Sequence, residues 1–203
     1  MRKVIVSTGN PHKLDEIKNM IGQYQFDVLS KNEVGYHDFE VLEDGQTLEE
    51  NAIKKARELW NETKEIVIAD DTGLFVEYLK GEPGVHSSRY AGEHATDEEN
   101  NQLLLEKMKH AINRRAFFKT VIVIVDEKGE TYLAEGICHG QIGYEPKGDK
   151  GFGYDSLFIV EDLNKTFAEM SQKEKNQYSH RGNALRNMER VFGDMVGNEN
   201  ISR

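Results

Sequence analysis

The chain opens with Val4-Ile5-Val6, a short apolar run that predicts a buried strand. Next come Thr8-Gly9-Asn10-Pro11-His12-Lys13 and a segment with Leu14, Ile17 and Ile21 at helical spacing. Gly9 permits a tight turn and Asn10 suits a cap. Pro11 suits a first helical position, where its missing N–H would be unpaired anyway. Phe26-Asp27-Val28-Leu29 predicts a second strand, and the polar stretch from Glu33 to Gly45 a loop. Thr47 with Glu50 has the capping-box pattern, and Ala52, Ile53, Ala56, Leu59 and Trp60 then predict a helix from about 47 to 62.

Ile66-Val67-Ile68-Ala69 predicts a short buried strand that delivers Asp70-Asp71-Thr72-Gly73 at its end, with Val76, Tyr78 and Leu79 in a further strand. Thr96 with Glu99 predicts a capped helix running through Leu103, Leu104 and Met108 to about Ile112. The β-branched and aromatic run from Ala116 to Val125, the turn Asp126-Glu127-Lys128-Gly129 and the run Thr131 to Ala134 predict a hairpin, so the sheet is not purely parallel. A glycine-rich segment leads to Ser156-Leu157-Phe158-Ile159-Val160, and Ser179 opens a final helix carrying Leu185, Met188, Val191 and Phe192. With no repeat or low-complexity tract, residues 1–203 are expected to form a single α/β domain with a mixed central sheet and flanking helices.

Composition narrows the function classes. Of 203 residues, 37% are hydrophobic and 31% charged, the balance of a globular protein with a heavily solvated surface. No window approaches the ~20 apolar residues of a membrane span, and no signal-peptide core precedes the first strand. A cytoplasmic location with no membrane partner is the expectation. The single cysteine, Cys138, is read as a small buried hydrophobe. A formal charge of −10 argues against a nucleic-acid partner, whose backbone is bound through Lys and Arg. A small polyanion would need a local cluster of bases and a divalent cation.

Candidate chemistry falls at five places. The helix N-terminus after Asn10, with Lys13 one turn in, makes an anion site. Asp70 and Asp71 follow an apolar strand, and adjacent residues on extended backbone point to opposite sides, so one can hold a hard cation while the other is structural. Of the neighbouring Lys54 and Lys55, at most one faces such a site; Lys55 can share a face with Asn51, although a solvated surface lysine explains it better. Gly151-Phe152-Gly153-Tyr154-Asp155 combines close backbone approach with an aromatic face and an acceptor. Lys175 and Ser179-His180-Arg181-Gly182 place cations ahead of the last helix, where they oppose its dipole and suit a ligand carbonyl or phosphate better.

In order and spacing these motifs resemble the inosine/xanthosine triphosphate pyrophosphatase family, the hydrolases of non-canonical purine nucleotides. The resemblance runs along nearly the whole chain. It is carried by Thr8-Gly9-Asn10 with Lys13, Glu50-Asn51-Ala52 with Lys55-Ala56, Ala69 to Leu74 and Pro83-Gly84-Val85 with Ser87-Ser88-Arg89-Tyr90. Gly151 to Asp155, and Lys175 with Ser179 to Gly182, complete it. It implies two lobes around a nucleotide-binding cleft, a homodimer, and Mg²⁺-dependent hydrolysis between the α and β phosphates of ITP, dITP or XTP, releasing pyrophosphate and cleansing the nucleotide pool.

Carried onto this sequence, it implies that Thr8, Gly9, Asn10, Pro11, His12 and Lys13 cradle phosphate and that Asp71 serves the metal and the attacking water. It implies Glu43 as a second carboxylate near the metal, Lys55 as added positive charge and Thr72 as a nucleotide contact. Phe152, Gly153, Tyr154, Asp155, Lys175, His180 and Arg181 would form the base pocket. Thr72 stands where the family usually has serine, retaining the hydroxyl, and Ser156 where proline is common. Two other readings are a Maf-type pyrophosphatase of modified pyrimidine triphosphates and a catalytically silent nucleotide-binding regulator. The C-terminal Lys175 and Ser179-His180-Arg181 argue against the first, and Lys13, Lys55, Asp70 and Asp71 against the second.

Overall fold

The computed structural model describes residues 1–197. These described residues form eight strands and six α-helices. β1 (Lys3–Val6), α1 (Pro11–Ile21) and β2 (Asp27–Ser30) are followed by α2 (Leu48–Thr63), β3 (Ile66–Val76), β4 (Pro83–Gly84) and α3 (Asp97–Lys107). Next come β5 (Arg115–Val125), β6 (Thr131–Ile142), β7 (Phe158–Val160) and β8 (Lys165–Thr166), then α4 (Gln172–Tyr178), α5 (His180–Asn187) and α6 (Glu189–Gly197). The strands form one mixed sheet in the order β2-β1-β3-β5-β6-β7-β8, with β4 pairing β3 off this path. β1 is parallel to β2 and β3, whereas β4 runs antiparallel to β3, and β7 antiparallel to β6 and β8.

The chain divides into two compact units, each assembled from separate stretches of sequence. The first comprises residues 1–71, 120–136 and the C-terminal stretch from Arg181; the second comprises Thr72–Lys119 and Ile137–His180. Each has its own apolar core. In the first, Val4, Val6, Ile66, Ile68, Ile122 and Ile124 pack with Ile17 and Ile21 of α1 and with Leu185 and Phe192 from the C-terminal helices. In the second, Leu74, Val76 and Phe118 pack with Leu104 of α3 and with Phe158 and Phe167. Cys138 is buried in that second core, which pushes its thiol up to about 12.

Local sequence accounts for most boundaries. Asn10 caps α1, its side chain accepting from the N–H groups of His12 and Lys13, and Pro11 begins the helix. Thr47 caps α2 by accepting from Glu50 N–H, but the Glu50 carboxylate accepts from Gln46 rather than closing the box on Thr47. α3 has the complete box between Thr96 and Glu99.

Three expectations are corrected. β3 does not stop at Ala69: it continues unbroken through Asp70, Asp71, Thr72 and Gly73 to Val76. Two adjacent aspartates read as a strand end, yet here each finds cationic or amide partners brought by helices distant in sequence. α3 ends at Lys107, short of Ile112, which is 97% exposed; the chain turns where Arg114 donates to the carbonyls of Met108, Ile142 and Gly143. The single helix expected after Ser179 is two, α5 and α6, the second beginning afresh at Glu189, and a further short helix, α4, precedes Ser179, whose backbone is extended.

Candidate active site

The carboxyl half of the first unit's strands carries a buried charge cluster. Along β3 the two aspartates diverge, as extended backbone requires. Asp70 Oδ2 lies 3.1 Å from Lys13 Nζ and 2.8 Å from Arg181 Nη2, while Arg181 Nη1 also pairs with Glu16. Burial alone would protonate Asp70, but Lys13, Arg181 and Lys55 hold its carboxyl far below the ordinary range, so it is ionised.

Asp71 faces α2. Its Oδ2 accepts from Asn51 Nδ2 at 3.2 Å and its Oδ1 from Lys55 Nζ at 3.3 Å. Asn51 and Lys55 are four residues apart, so one helix face supplies both. Lys55 Nζ also lies 3.1 Å from Glu43 Oε1, which brings two carboxylates onto one ammonium. Its neighbour Lys54 turns outward to Asp44. Burial raises the Asp71 carboxyl; Lys55 and Lys13 oppose this, Glu43 and Asp70 add to it, and the net shift is upward. The Lys55 ammonium is held above its ordinary range because Asp71, Glu43 and Asp70 outweigh its own desolvation.

The turn before α1 is built as the sequence predicts, with one difference. Thr8 Oγ1 accepts from Asn10 N–H at 3.1 Å, and Asn10 Oδ1 accepts from His12 and Lys13 N–H at 2.9 and 3.3 Å. The cap therefore already uses two of the helix donors that the sequence offers to an anion. What remains is the positive end of the helix dipole beside the Lys13 ammonium.

The second unit holds a separate constellation. Lys175 Nζ donates to Asp155 Oδ2 at 2.6 Å and lies 4.6 Å from the centre of the Phe152 ring, and Asp155 Oδ2 also accepts from Phe152 N–H at 3.0 Å. Tyr154 is buried and its hydroxyl donates to Ser87 O. The His180 ring stacks on Phe118 at 4.5 Å between centroids, within the aromatic cluster of that core. Thr72 is half-buried on β3, directly after Asp71.

Thus Lys13, Lys55, Asp71 and Glu43 share the first unit's cluster, and Phe152, Asp155 and Lys175 converge in the second. The Arg181 guanidinium, expected in the base pocket, pairs with the Asp70 and Glu16 carboxylates of the first unit. Glu16 escapes the sequence reading, although its position three residues after Lys13 on α1 was the available signal. Asn51 was placed on the face of Lys55 without a role, and it is a direct partner of Asp71.

A mixed α/β fold with a capped strand-to-helix turn, a buried aspartate beside two lysines and a second aromatic and lysine constellation describes a phosphate-handling nucleotide protein. The chain belongs to the Ham1 family, whose model matches residues 4–191. It is 49% identical over 193 residues to the dITP/XTP pyrophosphatase of Clostridium perfringens, covering 91% of this chain and 94% of that one. It is 41% identical to the enzyme of the same name from Bacillus subtilis, covering 95% and 98%. Among solved structures it is similar to the Staphylococcus aureus Ham1 protein, with a TM-score of 0.84, 37% identity and coverage of 97% and 100%.

Proposed function

We propose that this chain hydrolyses dITP, ITP and XTP to the monophosphate and pyrophosphate, removing these nucleotides from the precursor pool. The observation that carries this reading is the pairing of Asp71 with Lys55 and Asn51 in a buried cluster that also contains Lys13 and Glu43, in a chain 49% identical to a dITP/XTP pyrophosphatase.

Cleaving a phosphoanhydride by water demands little covalent chemistry from the protein and much charge stabilisation. Lys13 and Lys55 supply the positive charge for the triphosphate and for the negative charge that collects on the departing pyrophosphate. The Asp71 carboxylate accepts a hydrogen bond from the attacking water and aims its lone pair at phosphorus; burial keeps this carboxylate more basic than an exposed aspartate. Asp70 stays ionised and holds the Lys13 ammonium in place. Asn51 fixes the Asp71 rotamer through Oδ2.

The donor set of Asp71 and Glu43 fits Mg²⁺. Both are hard oxygen donors, and both already reach the same cation, Lys55 Nζ. Among the described residues no group of three or more His, Cys, Asp or Glu is arranged to hold a metal. Mg²⁺ keeps several waters and takes its remaining ligands from substrate phosphates, so two carboxylates can suffice. When bound there it would lower the pKa of a coordinated water and neutralise phosphate charge.

Base selection we assign to the second unit. The Lys175 ammonium and the ring of Phe152 offer a donor beside a stacking face. A 6-oxo group accepts from such a donor, whereas the 6-amino group of adenine brings a donor against it, a mismatch of about 1–3 kcal/mol per buried group left unpaired. This disfavours adenine, while Lys175 with Ser179-His180-Arg181 and the 49% identity to a dITP/XTP pyrophosphatase favour a purine triphosphatase over a Maf-type enzyme. Among the described residues no helix is long and apolar enough to cross a membrane, and free nucleotides as substrates support a cytoplasmic location. The homodimer implied by the family is tested by light scattering on the eluted protein. The function is tested by pyrophosphate release with Mg²⁺ from dITP, XTP, ATP, GTP and 5-methyluridine triphosphate. Release from the first two alone supports it; preference for the pyrimidine, or tight binding without release, overturns it.

A further inference from the structure

The first two turns of α3 grip one residue of the Gly151 to Asp155 segment from both sides. Asp97 Oδ2 accepts from Gly153 N–H at 2.6 Å, and Asn101 Nδ2 donates to Gly153 O at 3.0 Å. The two side chains are four residues apart, so they leave the same helix face one turn from each other. Both backbone polar groups of Gly153 are thereby held by one helix. Gly153 itself has φ +59°, the left-handed region, so the segment reverses at the gripped residue.

The helix is anchored in turn. Its capping box fixes the first turn, and Asn100 donates to Ser88 O at 3.1 Å while accepting from Ala91 N–H at 2.8 Å. The next loop residue, Tyr154, donates its hydroxyl to Ser87 O at 2.8 Å, so both the loop and the helix are tied to the stretch from Ser87 to Ala91. On the other side of Gly153, Phe152 N–H is bound by Asp155, which also takes the Lys175 ammonium.

We propose that Asp97 and Asn101 are positioning residues for base binding: through Gly153 they set where the Phe152 ring and the Asp155 to Lys175 pair stand, and so how tightly a purine base is held. The proposal rests on the reading of Phe152, Asp155 and Lys175 as the base-binding group. Neither side chain acts on the phosphates, whose binders Lys13 and Lys55 belong to the other unit. Loss of the clamp therefore weakens base binding and leaves phosphate binding intact.

The test is steady-state kinetics with dITP and Mg²⁺ on Asp97→Ala, Asn101→Leu and Asp97→Asn, together with the inhibition constant of inorganic tripolyphosphate. Asp97→Ala and Asn101→Leu are each expected to raise KM for dITP about tenfold with kcat within about twofold and an unchanged tripolyphosphate constant. Asp97→Asn, which keeps an acceptor oxygen for Gly153 N–H, is expected to restore KM to within about twofold of the unsubstituted enzyme. An unchanged KM in Asn101→Leu and Asp97→Ala overturns the proposal, as does a parallel loss of tripolyphosphate binding. Failure of the unsubstituted enzyme to release pyrophosphate from dITP would overturn the functional reading itself, a result distinguishable from either. Because the two substitutions remove different hydrogen bonds to the same residue, Asn101→Leu decides the matter if Asp97→Ala does not fold.

Discussion

Lys55 Nζ and Asp71 Oδ1 stand 3.3 Å apart in the protein interior, and the same ammonium is the one that reaches Glu43. The lysine opposes the rise that burial and the like charges of Glu43 and Asp70 impose on the Asp71 carboxyl. Lys55→Ala removes that opposition, pushes the Asp71 carboxyl further up and takes a positive charge from the phosphates. The expected result is a fall in kcat of at least about 10²-fold and a lower melting temperature, read by pyrophosphate release and calorimetry. Unchanged kcat would remove Lys55 from the reaction.

Arg181 joins Asp70 and Glu16 as a fully buried cation. Arg181→Met keeps much of the volume but takes their shared guanidinium from two buried carboxylates, and breaking such a pair costs about 3–5 kcal/mol. A large drop in unfolding free energy by urea titration is expected. A raised KM with unchanged stability would instead return Arg181 to the base pocket, where the sequence resemblance puts it.

Gly151 has φ +78°, and a Cβ there would fall 2.1 Å from Asp155 Oδ2, the oxygen that binds both Lys175 and Phe152 N–H. Gly151→Ala is expected to weaken nucleotide binding measured by calorimetry. Gly153→Ala, with nothing within 4 Å of its Cβ, carries only the backbone strain of its positive φ and is expected to be milder. Equal effects would show that backbone strain, not Asp155, matters.

Much of this was legible in the sequence because it is local. The Asn10 cap with Pro11, the Thr96 and Glu99 box and the β5 to β6 hairpin follow from neighbouring residues. The divergence of Asp70 and Asp71 follows from strand geometry. What was not legible depends on partners distant along the chain. Asp-Asp-Thr-Gly reads as a strand end until Lys13, Lys55 and Arg181 meet its aspartates within a continuous strand, and the pairing of Arg181 with Glu16 and Asp70 has no local signal. Asp97 and Asn101 lie on a helix whose surface pattern gives no reason to single them out; only the loop 52 residues beyond Asn101 reveals their use.

The Glu99 carboxyl is held below its ordinary value of 4.5 by hydrogen bonds from Thr96, first from the backbone and then from the side chain. A carboxyl with a lowered folded pKa contributes stability above its unfolded value and loses it as pH falls through the folded one. The melting temperature of the wild-type chain should therefore approach that of Glu99→Gln as pH drops below 4.5. A difference that stays constant from neutral pH into that range would mean that the box does not depend on the charge.

The most direct test of the central claim compares the unsubstituted enzyme with Asp71→Asn, measuring both pyrophosphate release from dITP with Mg²⁺ and dITP binding by calorimetry. If Asp71 orients the attacking water, turnover falls by at least about 10³-fold while binding remains measurable. Near-normal turnover in Asp71→Asn would contradict the account.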